Sequence, residues 1–150
     1  MMIRGVFACA ITLLLVVTCA SAATRTANQN PRETMNIKMT IAGQIITARL
    51  EDNHSARDFF AMLPLTLPIE DYAETEKIAY LPRQLTTLGA PKGIDPGVGD
   101  LTYYAPWGNL AIFYRDFGYS TGLIKLGRIT SGLDALTAQP SGTLTIEAVK

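Results

Sequence analysis

The chain has 150 residues, of which 48% are hydrophobic and 17% are charged, and its formal net charge is zero. The hydrophobic content excludes a disordered chain, and the length is typical of one domain with a sizeable core. Proteins that bind nucleic acid concentrate positive charge against the phosphate backbone. The balanced charge of this chain therefore predicts no nucleic-acid partner.

The first 22 residues have the pattern of a secretory signal peptide. Arg4 supplies positive charge, an apolar run follows from Val6 to Val17, and Ala20-Ser21-Ala22 is a small-x-small cleavage site. The apolar run is shorter than the roughly 20 residues that a membrane-spanning helix needs. We therefore predict cleavage near Ala22, a secreted or periplasmic protein, and no stable membrane span after cleavage.

The alternative is a lipoprotein attached through Cys19. It is disfavoured because Thr18 stands where glycine, alanine or serine normally precedes a lipidated cysteine. Cys9 and Cys19 are the only two cysteines, and both lie in the predicted signal peptide. The mature domain is therefore predicted to have no disulfide, thiolate metal site or nucleophilic cysteine.

Residues 23–35 are polar and aperiodic, which predicts a flexible N-terminal tether before a domain of residues 36–150. The domain is predicted to open with a β-hairpin. Apolar residues alternate with polar ones along 37–41 and again along 46–50, and Ala42-Gly43 can form the turn between them.

A short amphipathic helix is predicted next. Ser55 and Asp58 form a capping-box pattern, and Pro64 is expected to stop the helix. The apolar face has the spacing i, i+3, i+4 and i+7 and consists of Ala56, Phe59, Phe60 and Leu63.

The middle of the domain is predicted to contain two short strands and a long loop. Residues 65–71 alternate as a strand, but Pro68 has no N–H group to donate and predicts an edge or irregular strand. We expect a solvated connection over 72–77 and a strand over 78–82. The glycines and prolines of 83–99 predict a loop.

The last third of the chain is the richest in aromatic residues. Seven of the 12 aromatic residues lie between Tyr103 and Tyr119. Ser131 and Asp134 predict a second capped helix. Alternation of apolar residues predicts the remaining strands, at 101–105, 110–115, 123–129 and 143–149. Seven or eight strands with two short helices predict a mainly β fold, a closed antiparallel β-barrel.

Two stretches resemble the cyclophilins. Leu126–Leu136 is similar to a cyclophilin segment in which a strand of pattern F-G-x-V precedes x-x-G-M/L and a short helix. A longer pattern that starts at Gly99, G-D-x-x-Y-Y-A-P-W-G-x-L-A-x-F-Y and then L-G-R-I-x-S-G-L, is closer to bacterial cyclophilin-like domains of uncharacterised function. The resemblance runs from about Asn36 to the C-terminus. It implies a small closed cyclophilin-like β-barrel with helices over its open ends.

The resemblance also raises the question of prolyl isomerase activity. In true cyclophilins a rim arginine donates a hydrogen bond to the twisting imide, within a motif R-I/V-I-x-x-F-x-x-Q-x-G-D. The corresponding place here is Tyr80-Leu81-Pro82-Arg83, where the arginine is at a different offset and no Phe-x-x-Gln follows. We therefore predict no catalytic residues, with a peptidyl-prolyl isomerase as the alternative.

Other catalytic arrangements are disfavoured by composition. His54 is the single histidine, and without a second histidine or a mature cysteine a zinc site is not expected. Glu70, Asp71, Glu74 and Glu76 cluster in sequence, but their spacing does not match a calcium loop, and they are predicted to form a solvated face. We predict no metal and no cofactor.

What remains is a set of aromatic and arginine residues near strand ends, of the types that anchor recognition sites. The predicted ligand-binding residues are Tyr80, Arg83, Tyr104, Trp107, Phe113 and Arg115. The alternative is that Tyr104 and Phe113 simply fill the barrel, whereas Trp107, in a Pro-Trp-Gly turn, is expected to be partly exposed.

The predicted function is binding of a peptide or small ligand at one edge of the barrel. The alternatives are the isomerase and a structural or interaction module of the cell envelope. Ligand identity and oligomeric state do not follow from the sequence.

Overall fold

The computed structural model describes residues 34–150, and within them the chain forms ten strands and two helices. The strands are β1 (Asn36–Ile41), β2 (Gln44–Leu50), β3 (Leu65–Tyr72), β4 (Glu76–Tyr80), β5 (Gly93–Ile94), β6 (Asp100–Tyr104), β7 (Asn109–Phe113), β8 (Ser120–Thr121), β9 (Leu123–Ser131) and β10 (Ser141–Val149). The helices are α1 (His54–Ala61) and α2 (Leu133–Thr137). The predicted signal peptide and most of the predicted tether lie outside the described residues.

Eight of these strands close into an antiparallel barrel in the order β1-β10-β3-β4-β7-β6-β9-β2, and β5 and β8 pair as a separate small sheet. The prediction of a closed, mainly β barrel with two short helices is confirmed. Neither described helix is long and apolar enough to cross a membrane.

Strand alternation separates two apolar clusters on opposite faces of the barrel wall. Along β7, Leu110 and Ile112 belong to the main core inside the barrel, whereas Ala111 and Phe113 belong to a second cluster outside it. Successive side chains of a strand point to opposite faces, so one strand contributes to both clusters. The outer cluster consists of Ile78, Ala111, Phe113 and Leu123, with Ile94 and Tyr104 packed against it.

The capping predicted for α1 is wrong. Asn53 is the N-cap, and its side chain accepts a hydrogen bond from the backbone N–H of Ala56 at 2.8 Å. The Ser55 hydroxyl instead donates to the carbonyl of Thr86 at 2.6 Å, and the Asp58 carboxylate accepts from the backbone N–H of Thr86 at 2.8 Å. Ser55 and Asp58 therefore fasten the following loop to the helix.

The cap predicted for α2 is wrong as well. Gly132 is the N-cap, with a φ of 84°, and the Ser131 hydroxyl lies 2.7 Å from that of Thr47 on β2. A Cβ atom at Gly132 would lie 2.6 Å from the carbonyl oxygen of Ile45. Both the left-handed backbone and this close approach require glycine there, so the helix begins without a side-chain cap.

The predicted irregularity at Pro68 is confirmed, but β3 is not an edge strand. It pairs with β10 from Leu65 to Glu70, whereas its pairing with β4 covers only Glu70, Asp71 and Tyr72. Because a proline cannot donate to a ladder, the β3–β4 pairing stops on one side of Pro68 while the barrel stays closed.

The solvated connection predicted over 72–77 is also wrong. β3 extends to Tyr72, β4 begins at Glu76, and the turn between them is only three residues long. Ala73 and Glu74 adopt positive φ angles of 51° and 55°. Such a turn is usually marked by Asn-Gly or Asp-Gly, and Ala-Glu gives no such signal.

Candidate functional site

An aromatic cleft lies against the outer cluster of the barrel wall. Its cavity volume is about 200 Å³. The lining residues come from the β3–β4 turn, from the strands β3, β4, β6, β7, β8 and β9, and from the loops between them: Tyr72, Ala73, Thr75, Glu76, Tyr104, Trp107, Phe113, Phe117, Ser120 and Leu123. We call this site the aromatic cleft.

Two tyrosine rings stand nearly perpendicular to the Trp107 indole in the aromatic cleft. The Trp107 indole lies 5.4 Å from the Tyr72 ring at 89° and 5.5 Å from the Tyr104 ring at 76°, measured between centroids. These are edge-to-face contacts, which the ring quadrupoles favour. Trp107 is nevertheless 46% exposed, in agreement with the partly exposed ring expected of its turn.

The turn that presents Trp107 is fixed by backbone hydrogen bonds. The N–H groups of Trp107 and Gly108 donate to the carbonyl of Tyr104 at 3.2 and 2.9 Å, and the N–H of Ala105 donates to the carbonyl of Gly122. A Cβ atom at Gly122 would lie 2.8 Å from the ring of Pro106. The close approach of these two segments therefore needs glycine at 122 and sets the position of the indole.

Two phenylalanines form the opposite side of the aromatic cleft. Phe113, at the end of β7, is buried in the outer cluster, and Phe117 is exposed in the loop that follows. Their ring centroids are 5.7 Å apart with an interplanar angle of 37°.

One carboxyl group shares this apolar surrounding. Glu76 lies directly opposite Phe113 in the β4–β7 pairing, so the two side chains share the outer face of the wall. Burial against these rings raises the pKa of Glu76 to about 7. Within residues 34–150, no hydrogen bond or ion pair reaches its carboxylate.

The neighbouring lysine does not neutralise this group. Lys77 points to the opposite face, where its ammonium lies 2.9 Å from the Asp71 carboxylate and donates to the carbonyl of Gln139 at 2.6 Å. Among the described residues that line the aromatic cleft there is no lysine, arginine or histidine. The cleft therefore offers five aromatic rings and one acidic group to a ligand.

The structure brings together three of the six residues predicted to bind a ligand. Tyr104, Trp107 and Phe113 all line the aromatic cleft. The other three line different surfaces, because their strand position or an ion pair directs them elsewhere.

Tyr80 is 53% exposed beside Pro68, at the place where β3 and β4 separate. Arg83 forms a two-pronged ion pair with Asp58 of α1, with N–O distances of 2.6 and 3.1 Å, and also donates to the carbonyl of Gln84. Arg115 lies exposed in a broad depression that Asp71 also lines.

Tyr72, Glu76 and Phe117 belong to the same site but were not predicted from the sequence. A strand that begins two residues earlier would have placed Glu76 on the same face as Ile78. Glu76 was instead grouped with Glu70, Asp71 and Glu74, which are exposed. Burial makes Glu76 different from these three, and strand parity is the signal that could have found it.

His54 starts α1, is exposed, and lines a different cavity together with Glu51 and Lys125. In the part of the chain that the structure describes, no three His, Cys, Asp or Glu side chains are grouped so that they could hold a metal ion.

Comparison with known protein families identifies the relatives of this barrel. A family model described as the cyclophilin-like family matches residues 39–147. The chain belongs to the cyclophilin-like family. The matched segment of this cyclophilin-like domain contains every residue that lines the aromatic cleft.

A solved structure has the same fold. The solution structure of the hypothetical protein AF2241 from Archaeoglobus fulgidus superposes with a TM-score of 0.58, covering 77% of this chain and 95% of that chain at 14% sequence identity. At this identity the likeness extends to the fold alone. No functionally curated protein matches the sequence.

Proposed function

We propose that this cyclophilin-like domain is exported and binds a peptide or a small organic ligand in the aromatic cleft. The observation that carries the proposal is the exposure of Tyr72, Trp107 and Phe117 around one cavity. Exposed apolar groups scattered singly are normal on a protein surface, but a contiguous aromatic patch is typical of an interaction site.

Binding, rather than catalysis of proline isomerisation, is the activity that this arrangement favours. The family resemblance implies an arginine beside an apolar pocket. Arg83 is held by Asp58 and the Gln84 carbonyl, and it is not among the residues that line the aromatic cleft. In the cleft the polar group beside the rings is Glu76, which carries the opposite charge when ionised.

Export is supported by the n-region, apolar run and cleavage pattern of residues 1–22. We expect the protein made in a bacterium with an intact export route to begin at Ala23. Intact-mass measurement or N-terminal sequencing of the periplasmic or secreted product tests this. A chain that starts at a lipidated Cys19, or one that keeps its leader, would contradict it.

The binding proposal predicts a response from Trp107, whose emission reports a single place because it is the only tryptophan. The probes are four blocked tetrapeptides that differ only at one inner position, which is alanine, proline, phenylalanine or lysine. At least one of them is expected to change the emission. Trp107→Ala, followed by calorimetry, is expected to weaken that binding by about 2 kcal/mol or more, as at a binding hot spot.

A matched control separates binding from stability. Tyr80→Ala removes another exposed aromatic ring outside the aromatic cleft and should leave peptide binding unchanged. Trp107→Ala should lower the free energy of unfolding by only about 1–2 kcal/mol, since the lost ring contacts are edge contacts of a partly exposed side chain. Failure of all four peptides to change the emission at millimolar concentration would contradict peptide binding and leave a small organic ligand as the form of the proposal to be tested.

A further inference from the structure

We propose that the aromatic cleft selects an organic cation, with a methylated ammonium group held against the rings of Tyr72, Tyr104 and Trp107 and beside the carboxylate of Glu76. This inference rests on the proposed function and names the chemical class of its ligand.

The charge of the cleft favours a cation. Glu76 is the one carboxylate among the described residues that line the cleft, and no basic side chain lines it. The adjacent Lys77 is held on the other face by Asp71 and the carbonyl of Gln139. A carboxylate without a partner in an apolar surrounding is unfavourable, and a bound cation relieves that cost.

The arrangement of the rings also favours a cation. Faces of tryptophan and tyrosine attract cations through the ring quadrupole, and aromatic cages bind quaternary ammonium groups in this way. The rings of Tyr72 and Tyr104 stand at 89° and 76° to the Trp107 indole, so together they form walls in different planes. A cavity of about 200 Å³ has room for one small head group.

The scarcity of hydrogen-bond acceptors in the cleft favours a methylated ammonium group over a primary ammonium group. A primary ammonium has three donors that each need an acceptor. The walls of the cleft are mostly aromatic carbon, with Glu76 as the one charged acceptor and a few hydroxyl groups beside it. A methylated ammonium has fewer donors or none and replaces them by apolar contacts, which these walls supply.

The affinity for a cation should depend on pH. Burial raises the pKa of Glu76 to about 7, so the carboxyl group changes charge near neutrality. A cation favours the ionised form, and its affinity should therefore rise as pH increases through 7. A neutral ligand that accepts a hydrogen bond from the protonated carboxyl would show the opposite trend.

Several other ionisable groups lie in or near the cleft. Tyr72 and Tyr104 line it, and Lys77 follows Glu76 on β4. The β3–β4 turn and the nearby loop carry Glu74, Arg115, Asp116 and the phenol of Tyr119. A transition in affinity near pH 7 that is absent from Glu76→Gln is therefore attributable to Glu76 and not to these groups.

The experiment compares two probes of the same shape, choline and its neutral isostere 3,3-dimethyl-1-butanol. Binding is followed by Trp107 emission and by calorimetry between pH 5.5 and 8.5. At pH 8 we expect choline to bind about tenfold more tightly than the alcohol, as cation–π and carboxylate contacts would give. At pH 5.5 this preference should largely disappear.

Glu76→Gln removes the charge and keeps the shape. The variant should keep only the smaller part of the choline preference at pH 8, the part that the rings supply, while it still binds the alcohol. Glu74→Gln changes an exposed carboxylate in the adjoining turn and should behave as the unmodified protein.

The outcomes separate this inference from the proposal on which it rests. Equal binding of both probes, or a preference for choline that is undiminished in Glu76→Gln, would overturn the cation inference. Failure of both probes would overturn it too, and binding of any of the four tetrapeptides would then still support a binding cleft. Failure of the two probes and all the peptides would refute both.

Discussion

Replacing Phe59 by alanine is expected to lower the free energy of unfolding by about 3–5 kcal/mol. The Phe59 side chain is 0% exposed, and it is among the largest fully buried side chains of the described residues. Together with Ala56, it is how α1 enters the main core, and Phe59 is much the larger of the two side chains. The substitution removes the transfer free energy of the ring and leaves a cavity that rigid barrel strands can fill only in part.

Phe60→Ala is the matched control, since it is the same change one residue later on the same helix. Phe60 is only partly buried and packs against the edge of the core. It should cost clearly less than Phe59→Ala. Urea unfolding of both variants, with the midpoint and the slope reported, tests the difference. Equal losses, or no shift of the midpoint for Phe59→Ala, would show that α1 does not dock as described.

Alternating apolar residues made the barrel predictable from sequence. In β1, Ile37, Met39 and Ile41 are all buried, and the intervening residues are not. Where one face of a strand is buried, a shift by one residue would expose the whole apolar set, so the pattern defines both the strand and its orientation. The closed topology followed from the number of such strands and from the family resemblance.

Local details failed where tertiary contacts outweighed local patterns. Ser55 had the sequence of a helix cap, but its hydroxyl bonds a loop that is 31 residues away in sequence. The β3–β4 turn at Ala73 and Glu74 carries no turn signal, because it uses residues that rarely adopt positive φ. That missed turn caused the strand boundary to be misplaced.

The candidate site was predictable from the sequence only in part. The clustering of aromatic residues around Trp107 indicated a binding surface. In the structure Trp107 lines the aromatic cleft together with Tyr104 and Phe113. Tyr72 and Glu76 reach that cleft only because β3 and β4 extend to the short turn. Strand parity places Glu76 on the outer face once β4 begins at residue 76, but the turn that sets this boundary has no sequence signal.

A buried ion pair on the opposite face of β4 leads to the second large prediction. The Lys77 side chain is 3% exposed, and its ammonium lies 2.9 Å from the Asp71 carboxylate, whose side chain is 31% exposed. The hydroxyl of Tyr114 donates to the same carboxylate at 2.6 Å. Asp71 is therefore the countercharge of a lysine that water cannot reach.

Asp71→Asn is expected to destabilise the fold by about 2–4 kcal/mol. This loss is slightly smaller than is typical when one partner of a fully buried ion pair is removed, because Asp71 itself is partly exposed. The change leaves the shape nearly unaltered but leaves the ammonium of Lys77 buried without a countercharge. Lys77→Met should cost less, about 1 kcal/mol, because the remaining Asp71 keeps its bond from Tyr114 and its access to water. Denaturant unfolding at pH 7 should therefore rank the two variants in this order.

The acid dependence of the same variant provides an independent check. Desolvation raises the pKa of Asp71, but hydrogen bonds from Tyr114 and Lys77 lower it more, so it lies below its ordinary value of 3.8. A carboxyl group with a depressed pKa stabilises the fold above its unfolded pKa, and this contribution is lost as pH falls through the folded value. The stability gap between the unmodified protein and Asp71→Asn should be constant near neutrality and shrink below about pH 4.

Glu76 is present in both proteins, so its own titration cancels in this difference. A gap that stays unchanged down to pH 2, or a larger loss for Lys77→Met than for Asp71→Asn, would show that Asp71 does not compensate the buried charge.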